Sequence, residues 1–124
     1  MILKDLPIVT EILCCEYGGW IIGSAANPDA NVDSVNDIDI IVPFDQWRKV
    51  SKIAASHGAT LNKHGGSRFL DENVEIDVWP DTLDKVMVVS KWAWQPLLDI
   101  RLNVFVGDEN ETKQRTNVED TVRN

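Results

Sequence analysis

Apolar positions along this chain fall into short runs with two different periods. Ile8, Val9, Ile12 and Leu13 recur at helical spacing after Asp5 and Pro7, which resemble a helix start, and Gly18-Gly19 ends the run. "WIIG", from Trp20 to Gly23, is short, apolar and branched, and predicts a buried strand. Residues 24 to 36, "SAANPDANVDSVN", have the Asn, Asp, Pro and Ser mixture of a loop. "DIDIIV" predicts a second strand. A helix capped by Asp45 then runs to about His57, with Trp47, Val50, Ile53, Ala54 and His57 on one face and Gly58 as its stop. "ATLNK" predicts a short third strand, and "SRFLD" and "VEIDVW" form a hairpin around "EN". Pro80-Asp81 has the form of a helix opening, with Asp84 three residues on from the cap. "DIRLNVFV" alternates as a last strand.

Helices and strands interleave without a repeat or a linker, so the class is α/β or α+β. One domain is expected over residues 1–106. The polar tail over 107–124 is expected to be mobile or ordered only by a partner. A chain of 124 residues is long enough to bury a core without staples. No apolar run approaches the ~20 residues of a membrane helix, and "MILKDLP" lacks the apolar stretch of a signal peptide. The expected compartment is therefore the cytoplasm, with no membrane partner. Cys14 and Cys15 are adjacent, and helical neighbours point about 100° apart, so they are expected to be reduced with at least one in the core. Neither His57 nor His64 stands at zinc-ligand spacing from them.

The formal charge of −8 argues against bulk attraction to nucleic acid or anionic lipid. It raises the question of where the carboxylates gather. Residues i and i+2 of a strand share a face, so Asp37 and Asp39 point one way while Ile38, Ile40 and Val42 point into the core. The second hairpin strand repeats the pattern, with Val74, Ile76 and Val78 inward and Glu75, Asp77 and Trp79 outward. If the two strands pair, up to four carboxylates line one sheet face. Such a cluster raises its own pKa values or recruits a cation, and hard oxygen ligands on a rigid strand suit Mg²⁺. At Gly23-Ser24 a strand gives way to a loop. There glycine permits close backbone approach, and a serine hydroxyl with successive N–H groups can hold phosphate oxygens.

Taken in order, "IIGSAA", "NDIDIIVPF" and "VEIDVWP" resemble the nucleotidyltransferase superfamily, the group that includes DNA polymerase β-like enzymes and the minimal nucleotidyltransferases of toxin–antitoxin pairs. The resemblance covers roughly Trp20 to Pro80. It implies a mixed sheet flanked by helices and two Mg²⁺ ions, with Mn²⁺ as a substitute, held by Asp37 and Asp39 with Asp77 as third acid. Glu75 shares the orientation of Asp77, but the match of an acid followed by apolar and aromatic residues favours Asp77. Gly23 and Ser24 would contact the triphosphate, with Lys63 and Arg68 as further nucleotide-binding candidates. The implied reaction moves a nucleoside monophosphate from an NTP such as ATP to a hydroxyl acceptor and releases pyrophosphate. Larger members carry a helical domain that selects base and acceptor. Here little chain follows the third acid, so a protein partner, a second copy of the chain or an open cleft would have to complete the site.

Other readings compete. The fold could serve as a non-catalytic module, an antitoxin or regulatory subunit, although three acids in place favour catalysis. A metal-dependent nuclease is disfavoured because "EID" puts Asp77 where restriction-type nucleases carry a lysine. "HGGSR" is read as a hairpin turn rather than a phosphate loop. Trp92 and Trp94 share a face if extended, and are read as core or interface residues before base-stacking ones. Arg101 is placed toward the acid face, as a pyrophosphate contact or a plain salt bridge. His57 is read as a core-edge histidine, and the tryptophans on a small chain hint at association.

Overall fold

The computed structural model describes residues 6–30, 35–62, 65–82 and 92–103. The described residues form an α+β fold in which seven strands make one sheet. In chain order they are β1 (Trp20–Ile22), β2 (Asp37–Pro43), β3 (Thr60–Leu61), β4 (Ser67–Asp71), β5 (Val74–Asp81), β6 (Trp92–Gln95) and β7 (Ile100–Asn103). The helices are α1 (Ile8–Cys15) and α2 (Trp47–Ser56). Spatial order is β3-β4-β5-β2-β1-β6-β7, and every neighbouring pair is antiparallel except β2 with β5.

Period-2 alternation decides which face each strand buries. Ile38, Ile40 and Val42 of β2, Ile76 and Val78 of β5, Phe69, Ile21 and Trp94 belong to one buried cluster. Val9, Leu13 and Cys14 of α1 and Val50 and Ala54 of α2 complete it, so both helices pack on the same face. The expected flanking by helices is thus one-sided among the described residues. The opposite face carries the acids of β2 and β5, and a second apolar cluster of Ile22 and Ala93 packed with Trp20, Ile41, Trp79 and Leu102.

Several expectations are corrected in detail. Asp45 does not cap α2: a 3₁₀ turn over Phe44–Gln46 leads in, Gln46 is the N-cap residue, and no side chain bonds the cap. Pro80-Asp81 opens no helix, because pairing with Val42 and Pro43 carries both residues into β5. Trp94 is core and Trp92 packs against the same cluster, while none of the five tryptophans is exposed, so they give no argument for association. Arg101 stands opposite Trp94, with its guanidinium over that ring, and therefore lies on the helix side of the sheet, away from the acids. His57 is exposed and stacks on Phe69. The cysteines are free as expected, with Cys14 buried, and burial pushes its thiol pKa up. Asp5, Lys63, His64, Asp84, the end of the last predicted strand and the 107–124 tail lie outside the described residues.

The first helix is fixed from a distance. Its N-terminal N–H groups have no partner within the helix. The Ile8 N–H donates to Glu72 Oε2 at 2.7 Å, and the Thr10 N–H and hydroxyl donate to Asp71 Oδ2 at 2.7 and 3.0 Å. That is why Thr10 is buried while apolar Ile8, expected on the inner face, is exposed. The accepting carboxylates sit at the tight β4–β5 turn, where Glu72 and Asn73 both take positive φ, the geometry of a type I′ hairpin. Asp71→Ala leaves two buried donors without their charged acceptor. It is expected to lower the unfolding free energy in urea by about 2–4 kcal/mol, against less than ~1 kcal/mol for the exposed Glu72→Ala.

Candidate metal centre

The centre is built by strand register. Parallel pairing sets Asp37 beside Glu75 and Asp39 beside Asp77, while Ile38 and Ile40 meet Ile76 and Val78 on the core side. One oxygen each of Asp37, Asp39 and Asp77 lies within 4.8 Å of the other two. At that range two carboxylates repel by about 3–4 kcal/mol at an effective dielectric near 20. The sheet face is not simply wet, either. Asp77 was expected to face outward, and it does lie on the acid face, but it is only 3 % exposed. Ile22 pairs with Asp39 across β1, and Ile41 and Trp79 follow the two acids along their strands.

The consequences appear at Asp39. Burial, then the charges of Asp37 and Asp77, push its pKa from the ordinary carboxylate range up to about 7, against a smaller lowering by Arg68. Among the described residues Arg68 is the cation paired with these acids. It faces Asp77 across the β4–β5 ladder, its Nε donates to Asp77 Oδ1 at 2.9 Å, and it lies 3.3 Å from Glu75 Oε1. That hydrogen bond, with the charges of Asp77 and Glu75, raises the guanidinium pKa further.

Gly23 closes the other side. The backbone leaves β1 at Ile22 and turns through a 3₁₀ helix over Gly23–Ala26, whose Ala25 and Ala26 are buried in the core. Gly23 has φ +84°, and a Cβ there would stand 2.9 Å from Asp39 Oδ2. Both facts require glycine at this position. Ser24 is exposed on the same turn.

The structure therefore brings together Asp37, Asp39, Asp77, Gly23 and Arg68, with Glu75 alongside. Ser24 flanks them on the Gly23 turn, and Lys63 is outside the described residues. Three carboxylate oxygens that repel one another, one of them on an acid with a raised pKa and tucked against a glycine turn, are a donor set that fits a hard divalent cation such as Mg²⁺. Arg68, expected at phosphate, instead contacts the acids Asp77 and Glu75. The signal was present in the two-residue "EN" turn, which puts Arg68 opposite Asp77 by counting outward.

Compared with protein-family models, curated proteins and solved structures, the chain has no significant match in any of the three. Among the described residues no helix is long and apolar enough to cross a membrane.

Two outcomes test this geometry. Carboxyl ¹³C NMR is expected to show one aspartate titrating near pH 7, and Asp37→Asn to move that midpoint down. Since the folded value lies above the unfolded one, the stabilising contribution of protonated Asp39 is complete below about pH 4 and is lost as pH rises through about 7. Thermal melts should record that loss in the native chain and a smaller one in Asp39→Asn. Gly23→Ala combines left-handed strain with a clash on Asp39, and is expected to cost about 1–3 kcal/mol of stability.

Proposed function

We propose that the chain is an Mg²⁺-dependent nucleotidyltransferase. The observation that carries this reading is the convergence of Asp37, Asp39 and Asp77 beside the Gly23 turn, from three separate strand or strand-end positions. It supports the order of elements by which the sequence resembles that superfamily.

In this reading Asp37 and Asp39 hold Mg²⁺, with Mn²⁺ as a substitute, and Asp77 completes the set. The bound ion supplies neutralisation of the phosphate oxygens and of the charge that builds up on the leaving pyrophosphate. The turn at Gly23 and Ser24 binds triphosphate oxygens through backbone N–H groups and the exposed hydroxyl. The Asp77 carboxylate accepts the proton of the acceptor hydroxyl as its oxygen bonds to the α-phosphorus. The bond from that phosphorus to the bridging oxygen breaks, and pyrophosphate leaves. Most of the acceleration comes from positioning and charge neutralisation. The nuclease reading is weaker, because Asp77 stands where a lysine would be needed and the charge of −8 repels nucleic acid.

Titration calorimetry of each NTP in Mg²⁺ is the first test. One NTP should bind only with the metal, and Asp37→Ala/Asp39→Ala should abolish binding without unfolding the protein, since it removes a repulsion. Failure of the intact chain to bind any NTP in Mg²⁺ would sink the proposal for the isolated chain. Because Asp39 holds a proton up to about pH 7, binding should strengthen from pH 6 to pH 8 and release a proton at the lower pH, visible as a buffer-dependent binding heat.

A further inference from the structure

The ion pair between Arg68 and Asp77 is lopsided. The Asp77 side chain is 4 % exposed and the Arg68 side chain 51 %. The acid is fixed inside the centre, while the cation reaches it from the rim. The same Nε lies 3.3 Å from Glu75, which is 38 % exposed and stands outside the group of three converging oxygens. Arg68 thus has two carboxylates within reach, one in the centre and one at its margin. Its backbone is held in place by the β4–β5 ladder whichever carboxylate it bonds.

Resting on the metal-centre reading above, we propose that Arg68 is a displaceable counter-cation: its guanidinium neutralises Asp77 in the cation-free protein, and divalent binding drives it off Asp77 onto Glu75. The physical reason is competition for one carboxylate. A divalent ion that takes Asp77 as a ligand puts two positive charges next to a guanidinium already bonded there, and the two cations repel. Arg68 is mobile enough to yield, because half of its side chain is in solvent, and Glu75 offers it a second partner. The guanidinium contacts run to Asp77 and Glu75, so Asp37 and Asp39 are open to the ion first, and Asp77 joins once Arg68 has moved. Arg68 acts through Asp77 and is a positioning residue. It weakens the binding of bare metal and so favours loading together with a polyanion.

The test is Mg²⁺ titration of the full chain without nucleotide, followed by ¹⁵N NMR. The Arg68 Nε–H signal, identified by its absence in Arg68→Gln, should start away from those of exposed arginines and move saturably toward them. The backbone amides of Asp37 and Asp39 should shift with the same midpoint. Arg68→Gln should bind Mg²⁺ more tightly, on the order of tenfold for the removal of one charge-assisted bond. In an Asp77→Asn background Arg68→Gln should have little effect. If the tightening persists there in full, the arginine acts only through its field, and displacement is wrong. If Mg²⁺ saturates the aspartate amides while the Arg68 Nε–H stays put, displacement is also wrong, though the metal centre stands. If neither protein binds Mg²⁺ or Mn²⁺, the metal centre itself falls and this proposal with it. The Nε–H titration uses the unaltered chain, so the result does not depend on the variants folding.

Discussion

Parallel pairing of β2 with β5 is the contact on which the rest of this molecule depends. It sits at the middle of the sheet and is the one parallel pair among the described residues. On one face its register stacks Ile38, Ile40 and Val42 against Ile76, Val78 and Pro80, and on the other it stacks Asp37 and Asp39 against Glu75 and Asp77. Because side chains alternate, the two results cannot be separated. A slip of one residue by either strand would turn its two carboxylates toward α1 and α2 and take its apolar side chains out of the core. The apolar face therefore holds the acids together, although they repel one another. Burial of Ile38, Ile40, Ile76 and Val78, each 0 % exposed, contributes about 1.5–3 kcal/mol per side chain, which is of the same order as the repulsion among the acids.

The relief of that repulsion is shared between a proton and an arginine. Asp39, raised to about 7, keeps a proton in mildly acidic solution, and Arg68 supplies a positive charge at Asp77. Among the described residues one guanidinium facing Asp37, Asp39, Glu75 and Asp77 leaves the face strongly negative. This is the local form of the −8 carried by the whole chain.

Much of this was legible in the sequence, and the reason is periodicity. Alternation in "DIDIIV" and "VEIDVW" gave the strands, their inner faces and the convergence of Asp37, Asp39 and Asp77, once the strands were supposed to pair. That they pair in parallel, and in this register, could not be read. The connection between them spans a helix and two strands, and no local signal fixes the outcome of so distant a contact. The helix ends were unreadable for a similar reason. The carboxylates that receive the N-terminal donors of α1 belong to Asp71 and Glu72, 61 and 64 residues away, and they decide that Thr10 is buried and Ile8 exposed. Arg101 was misplaced by one step of alternation, since the reading had no fixed point for β7 before its register with Trp94 was known. By contrast, the position of Arg68 opposite Asp77 follows from the two-residue turn alone.

The asymmetry of the sheet explains why so small a centre can be so strongly perturbed. Both described helices cover one face. The acids share the other with a cluster of Ile22, Ala93, Trp20, Ile41, Trp79 and Leu102. The border between the two halves runs between Asp39 and Ile41 on β2 and between Asp77 and Trp79 on β5. Asp39 and Asp77, the acids at that border, have apolar neighbours, and burial leads the causes that raise Asp39. Glu75, one step further from the border, is more exposed than Asp77. Apolar neighbours exclude water that would otherwise screen the carboxylates, which makes the bare cluster costly. The same exclusion strengthens any attraction to a cation that reaches it. A fully solvated pair of aspartates on an open strand would be cheaper to fold and would hold a metal less firmly, so the apolar border sets the instability of the bare centre and, in the proposed reading, the strength with which it would hold a metal.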